Sequence, residues 1–187
     1  MNPLPATTPP LRTAPRKATL SFMFAHPAHM LALGFGSGLS PAAPGTVGTL
    51  WAWLAFLVLQ PLLNDGLWAA LLVAGFFVGW WACTVTARHL GVADPGCIVW
   101  DEVLAFWLVL WLLTPAGLWA QGIAFVLFRV FDAAKPGPVA WADALFKPRH
   151  GSDRVLQIGW AQGFGILRDD LVAALCTLLV IALWKFL

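Results

Sequence analysis

Five of the nine acidic residues in this 187-residue chain fall in three short runs. Ile98-Val-Trp-Asp-Glu-Val103 supplies Asp101 and Glu102. Phe128-Arg-Val-Phe-Asp132 supplies Asp132, and Gly163-Phe-Gly-Ile-Leu-Arg-Asp-Asp170 supplies Asp169 and Asp170. Carboxylate oxygens suit hard divalent cations, and Mg²⁺ takes one or two of them together with waters and phosphate oxygens. Adjacent acids on a helix point about 100° apart, so one of each pair can hold a metal while its neighbour orients a water or ligand. Each acid also has a plainer use. Acids at helix N-termini complement the macrodipole or cap free N–H groups, and Arg129 with Asp132 makes an i,i+3 pair. The convergence of all five is what points to a metal-assisted site.

A second group of residues suits an anion. Gly34-Phe-Gly-Ser-Gly-Leu-Ser-Pro-Ala-Ala-Pro-Gly-Thr-Val-Gly-Thr49 is rich in glycine and hydroxyls and leads into an apolar segment. Its glycines let backbone N–H groups approach a phosphate closely, with Gly36, Ser37, Gly38 and Thr46 as the candidates. It is neither a Walker A loop nor a dinucleotide fingerprint, and glycine-rich connections between apolar helices are common without a ligand. Arg129 and Lys135 add cations able to meet phosphate oxygens, although Lys135 could equally face lipid headgroups. No Gly-x-Ser-x-Gly elbow and no Asp-x-Asp pair occur, and His89 and His150 lack a recognisable nucleophile partner. Cys83, Cys97 and Cys176 show no metal-site spacing and read as packing residues.

The segments that must hold these residues are apolar. Hydrophobic residues make up 60% of the chain and charged ones 11%, with a mean hydropathy of +0.78, twelve Trp and no Tyr. A soluble domain carries roughly 25% charged residues. The net charge of +2 is too small for a nucleic-acid footprint. These values exclude a disordered chain, a coiled coil and an ordinary soluble enzyme. They favour an all-α, multi-pass membrane bundle of one domain over residues 21–187, behind a disordered basic tail over residues 1–20. The run Ser21–Leu33 is interrupted by His26, Pro27 and His29, which argues against a cleavable signal peptide and for an interfacial helix.

Thr46–Leu63 and Leu67–Ala87 are uncharged stretches of 18 and 21 residues, near the roughly 20 needed to cross a bilayer. Leu171–Trp184 is a shorter third crossing, with Lys185 able to snorkel at its end. Val103–Phe128 is broken by Thr114-Pro-Ala-Gly117 and reads as one kinked helix or as a hairpin of two. The hairpin gathers ten of the eleven basic residues on the side of the N-terminus and leaves Lys185 opposite, so the positive-inside bias favours it and makes that side cytoplasmic. Eight of the nine acids, all but Asp65, then share that face. No carboxylate stands mid-span, where a charge costs roughly 2.5–3.5 kcal/mol, which weighs against an ion pathway.

The order and wording of these motifs resemble the bacterial phosphatidylglycerophosphatase A family. The resemblance rests on Gly34-Phe-Gly-Ser-Gly-Leu-Ser-Pro41 with Pro44-Gly-Thr46, Ile98-Val-Trp-Asp-Glu102, Phe128-Arg-Val-Phe-Asp132 with Lys135-Pro-Gly-Pro138, and Gly163-Phe-Gly-Ile-Leu167 with Asp169-Asp170. It covers about residues 29 to 185 and implies an inner-membrane, Mg²⁺-dependent lipid phosphatase of helical fold. The implied reaction converts phosphatidylglycerophosphate to phosphatidylglycerol and inorganic phosphate in phospholipid biosynthesis. Mg²⁺ would be held by some of Asp101, Glu102, Asp132, Asp169 and Asp170, with another of the set as general base. Arg129, Lys135 and the loop from Gly36 to Thr46 would hold phosphate oxygens. The acyl tails would lie beside the Trp-rich helices, Trp100 and Trp107 among them. The link from Asp143 to Gly163 is longer than the pattern suggests, and Arg168 stands where an apolar or neutral residue is expected. The competing class is a non-enzymatic membrane protein such as an assembly factor or transporter.

Overall fold

A computed structural model describes residues 16–134 and 159–186. Among them the regular structure is entirely helical, as expected from the sequence. Seven α-helices follow in order: α1 (Leu20–Phe24), α2 (Pro27–Ala32), α3 (Pro44–Leu59), α4 (Asp65–Leu90), α5 (Trp100–Leu113), α6 (Leu118–Ala134) and α7 (Trp160–Phe186), with a 3₁₀ segment over Gly34–Leu39. Residues 1–15 of the expected tail over 1–20, Lys135, and residues 144–158 of the long link lie outside the described residues.

Local chemistry sets the boundaries. His26-Pro27 splits the expected single interfacial helix in two: the His26 side chain accepts from the Ala28 N–H and Pro27 fills the first turn of α2. α3 stops at Leu59 rather than Leu63 because Pro61 follows directly after its cap. α4 extends beyond its uncharged run at both ends. Asn64 caps the Leu67 N–H through its side chain, and Gly91 ends the helix in the left-handed conformation. The break at Thr114-Pro-Ala-Gly117 is real, and α5 and α6 are separate helices on either side of it. α7 is the largest departure. It runs 27 residues from Trp160, not 14 from Leu171, because Arg168-Asp-Asp170 interrupts hydropathy without interrupting the helix. Asp169 and Asp170 therefore lie well inside α7, not at its mouth, and helix-end capping cannot explain them.

α5 is the central helix and packs against α3, α4, α6 and α7. Nine of its 14 residues are buried, which accounts for its all-round apolar sequence. Indole N–H groups bond the bundle together. Trp107 donates to the Ala52 carbonyl at 2.8 Å, Trp100 to the Gly75 carbonyl at 3.0 Å, Trp53 to Gln121 Oε1 at 2.7 Å and Trp80 to the Trp160 carbonyl at 2.7 Å. A buried Trp needs such a partner, and these bonds join α5 to α3 and α4, α3 to α6, and α4 to α7. Trp100 and Trp107 are only 5% and 4% exposed. They are core residues, which corrects their expected place beside lipid tails.

One described helix, α4, is long and apolar enough to cross a membrane, and α3 is a shorter apolar helix. Several helices turn apolar side chains outward. On α6 the buried stripe contains Gln121, Ala124 and Phe128, while Trp119, Ile123, Val126 and Val130 are exposed.

Candidate metal and phosphate site

Three helices bring acids to one place. Asp101 and Glu102 open α5, directly after the buried Trp100, and Asp170 sits nearly three turns into α7. Ligand atoms of Asp101, Glu102 and Asp170 all lie within 4.8 Å of one another, forming an acidic group able to hold a metal ion. Burial raises the pKa of Asp101 and Asp170 well above the usual carboxylate range, and it raises Glu102 to about 7. Like charge adds to both shifts, from Glu102 and Asp170 at Asp101 and from Asp132 and Glu102 at Asp170.

The donor set fits a hard divalent cation. Asp101 Oδ1, Glu102 Oε2 and Asp170 Oδ2 are each buried and make no hydrogen bond. A buried anionic oxygen without a partner is costly, and three converging on one point are satisfied together by one cation with oxygen ligands.

Asp132 and Asp169 take other places. Asp132 forms an ion pair with Arg129 at 2.6 Å, the i,i+3 contact on α6, and its charge lies close enough to Asp170 to raise that carboxyl's pKa. Asp169, about 100° around the helix from Asp170, lies 4.0 Å from the Arg168 guanidinium. Arg129 does more than neutralise Asp132. Its Nη1 is 3.7 Å from Glu102 Oε1 and donates to Thr49 Oγ1 at 3.4 Å, while its buried Nε has no partner. This leaves an N–H donor beside the carboxylates.

The loop candidates divide. Thr46 is half-buried in the first turn of α3. The Ser37 hydroxyl donates to the Gly34 carbonyl at 2.8 Å, and half-buried Gly36 faces Met23. At Gly38 any Cβ would strike the Cys97 carbonyl. These glycines thus allow the loop to pack closely on the Cys97–Val99 segment, whose Val99 N–H donates to the Ala32 carbonyl at 2.9 Å. Two neighbours of the loop reach the charged centre itself. A Cβ on Gly45 would collide with Glu102 Oε1 and crowd the Arg129 guanidinium, and Thr49 bonds Arg129 while donating to the Gly45 carbonyl at 2.8 Å. Both belong to the glycine- and hydroxyl-rich run read as an anion loop, but neither is among its phosphate candidates Gly36, Ser37, Gly38 and Thr46. Their four-residue spacing puts both on one face of α3, but only tertiary packing turns that face toward Glu102 and Arg129.

Comparison with known proteins identifies the family. Residues 30–185 match the family described as Phosphatidylglycerophosphatase A. The chain is 41% identical to phosphatidylglycerophosphatase A of Escherichia coli strain K12 over 149 residues, covering 79% of this chain and 77% of that protein. It is 36% identical to the Haemophilus influenzae protein of the same name over 83% of this chain and 87% of that one. A Bacteroides thetaiotaomicron protein with a provisional phosphatidylinositol-3-phosphatase name is 33% identical over 84% of this chain and 92% of its own length. No solved structure matches. With its acidic motifs inside the matched region and relatives aligned over most of their length, the chain belongs to the phosphatidylglycerophosphatase A family.

Proposed function

We propose that this protein is an Mg²⁺-dependent phosphatidylglycerophosphatase acting on its lipid at the cytoplasmic face of the bacterial inner membrane. The observation that carries the reading is the trio Asp101, Glu102 and Asp170, each with a buried unpartnered oxygen, beside an arginine with a spare donor. Family membership supplies the lipid phosphomonoester class.

Asp101, Glu102 and Asp170 would hold the metal, which when bound would supply positive charge to polarise the phosphoryl group. Arg129 offers Nε–H to a phosphate oxygen, and Thr46 and Lys135 add phosphate contacts, whereas the Gly36 and Gly38 N–H groups and the Ser37 hydroxyl are already bonded within the loop to the Leu33 and Gly34 carbonyls. Water attacks phosphorus, and the bond from phosphorus to the terminal glycerol oxygen breaks. Asp132, next to Asp170, takes the proton from the water and returns it to the leaving oxygen. Asp169, at the next position on α7, serves as the neighbour that orients a water or ligand beside Asp170. Phosphatidylglycerol and inorganic phosphate leave.

A multi-pass arrangement is supported by the exposed apolar stripes: Trp119, Ile123, Val126 and Val130 on α6, Leu50, Leu54 and Val58 on α3, and Leu175, Leu179 and Leu183 on α7. Monomeric soluble proteins rarely show such continuous apolar surface. A cysteine placed at exposed Asp94 then labels only from the cytoplasmic side.

The deciding experiment follows phosphate release from phosphatidylglycerophosphate by purified protein in detergent, with phosphatidylinositol 3-phosphate as the comparison lipid. Release in Mg²⁺ that stops in chelator is expected, with preference for the first lipid. No release in Mg²⁺ would rule out the enzyme, full activity in chelator the metal, and preference for the inositol lipid the substrate.

A further inference from the structure

An apolar groove of about 200 Å³ lies between α4, α5 and α7, lined by Leu72, Val73, Phe76, Phe77, Leu104, Leu108 and Leu171. Its position relative to the acids follows from helix geometry. On α5, Leu104 and Leu108 stand three and seven residues after Asp101, on the same helical face and about 4.5 and 10 Å further along the axis. On α4, Cys83 lies in the electrostatic field of Glu102 and Asp170. Phe76 and Leu72 precede it by seven and eleven residues, again on one face, at about 10 and 16 Å. On α7, Leu171 directly follows Asp170. α4 and α5 thus carry one stripe each from the carboxylates to the groove, and Leu171 of α7 closes its near end beside Asp170.

Between the two levels the interior is closed. The Trp100 indole donates to the Gly75 carbonyl, and a Cβ on Gly79 would strike its ring. A chain reaching the groove from the acids therefore runs along the outer side, where Val73 and Phe77 are each 59% exposed.

We propose that this groove holds one acyl chain of the lipid whose phosphomonoester is bound at Asp101, Glu102 and Asp170. The inference rests on the lipid phosphatase reading and extends it to the tail. A phosphate at the carboxylates ties its own acyl chain to a point farther along α4 and α5, and this groove is an apolar surface found there. Its lining holds no side-chain donor or acceptor, so it recognises chain length and shape alone. Val73 and Leu108 set the width and act as specificity residues, without touching the reacting atoms.

The test compares dioleoyl phosphatidylglycerophosphate with its fully deacylated counterpart, glycerophosphoglycerophosphate, for the wild-type protein and for Val73→Trp, Leu108→Trp and Ile123→Trp. Ile123 is an exposed control on α6 outside the groove. Val73→Trp, at an exposed position, keeps the fold intact even if Leu108→Trp does not. The expected result is a KM for the dioleoyl lipid raised about 4- to 15-fold in Val73→Trp, as for loss of one or two buried methylenes. The deacylated compound keeps its wild-type kcat/KM in that variant, and Ile123→Trp behaves as wild type with both. Equal effects of Val73→Trp on both compounds, or equal effects of Val73→Trp and Ile123→Trp, overturn the groove while the phosphatase reading stands. Absence of phosphate release from both compounds by the wild-type protein overturns the phosphatase reading and the groove with it.

Discussion

Two clusters of ionisable side chains lie in this bundle, and they are finished differently. Around His29 every ring nitrogen that meets protein has a partner. Nδ1 faces the Phe22 carbonyl at 2.7 Å, Nε2 faces His89 Nδ1 at 2.8 Å, and the ring stacks on Phe22 at 3.9 Å. A carbonyl only accepts, so Nδ1 carries the proton and the neutral ring accepts at Nε2 from the His89 N–H. Around Asp101, Glu102 and Asp170 three buried oxygens have no partner, and like charges face one another. The imidazoles close a joint between α1, α2 and the end of α4. The carboxylates keep unspent valence, as a site for a cation requires. Clustering alone does not mark a functional site; unsatisfied clustering does.

The largest expected effect comes from removing one charge of the trio. Asp101→Asn and Asp170→Asn each lower Mg²⁺-dependent phosphate release by roughly 100-fold or more, beyond the 10- to 100-fold typical of groups one layer outside a metal. Relief of like-charge repulsion leaves the thermal midpoint of the metal-free protein unchanged or higher. Wild-type rates in both variants would dissolve the contrast with the histidines.

Gly45→Ala comes next. Its Cβ displaces Glu102 or Arg129, and misplacing a catalytic group by about 1 Å costs on the order of 10- to 100-fold in kcat/KM. Near-normal kinetics would show that the α3 terminus does not position the site. Thr49→Val removes the hydroxyl to which Arg129 donates. A lost hydrogen bond of about 0.5–1 kcal/mol lowers kcat/KM about 2- to 5-fold, and a loss as large as that of Asp101→Asn would give Thr49 a role beyond positioning.

The smallest effect on activity is predicted at His29. Burial lowers its pKa below the ordinary value of 6.5, so folding favours the neutral ring. The stability it contributes is complete above pH 6.5 and is lost as pH falls through the lowered value. Facing it are His89 and His26, with Arg88 on α4 next to His89. His29→Phe should cost about 1–2 kcal/mol near pH 7.5 and flatten the loss of thermal midpoint on acidification toward pH 5.5. Phosphate release stays within about twofold of wild type. Unaltered acid sensitivity would remove His29 from the account of that joint.

Much of the helical layout is legible in the sequence because helix ends leave local marks. Thr114-Pro-Ala-Gly117 separates α5 from α6, and Pro61 and Gly91 mark where α3 and α4 stop. The start of α7 is not legible from hydropathy, since Arg168-Asp-Asp170 ends an apolar run but not a helix. The acids of the trio are legible as candidates because charge is scarce, yet nothing local separates Asp170 from Asp169 before the helical phase of α7 is known. Gly45 and Thr49 were hidden because their partners, Glu102 and Arg129, are more than 50 residues away in sequence. Trp100 and Trp107 misled for a related reason: a Trp on an apolar helix suits a lipid face and a core equally, and the distinction lies in the Gly75 and Ala52 carbonyls that accept from them.

The central claim is that Asp101, Glu102 and Asp170 form one metal site. Mn²⁺ binding followed by electron paramagnetic resonance on the purified protein in detergent tests it without relying on turnover. The account predicts a saturable Mn²⁺ site that Mg²⁺ displaces, lost in Asp101→Asn and in Asp170→Asn and retained in His29→Phe. Mn²⁺ binding by both carboxamide variants at wild-type strength would contradict it.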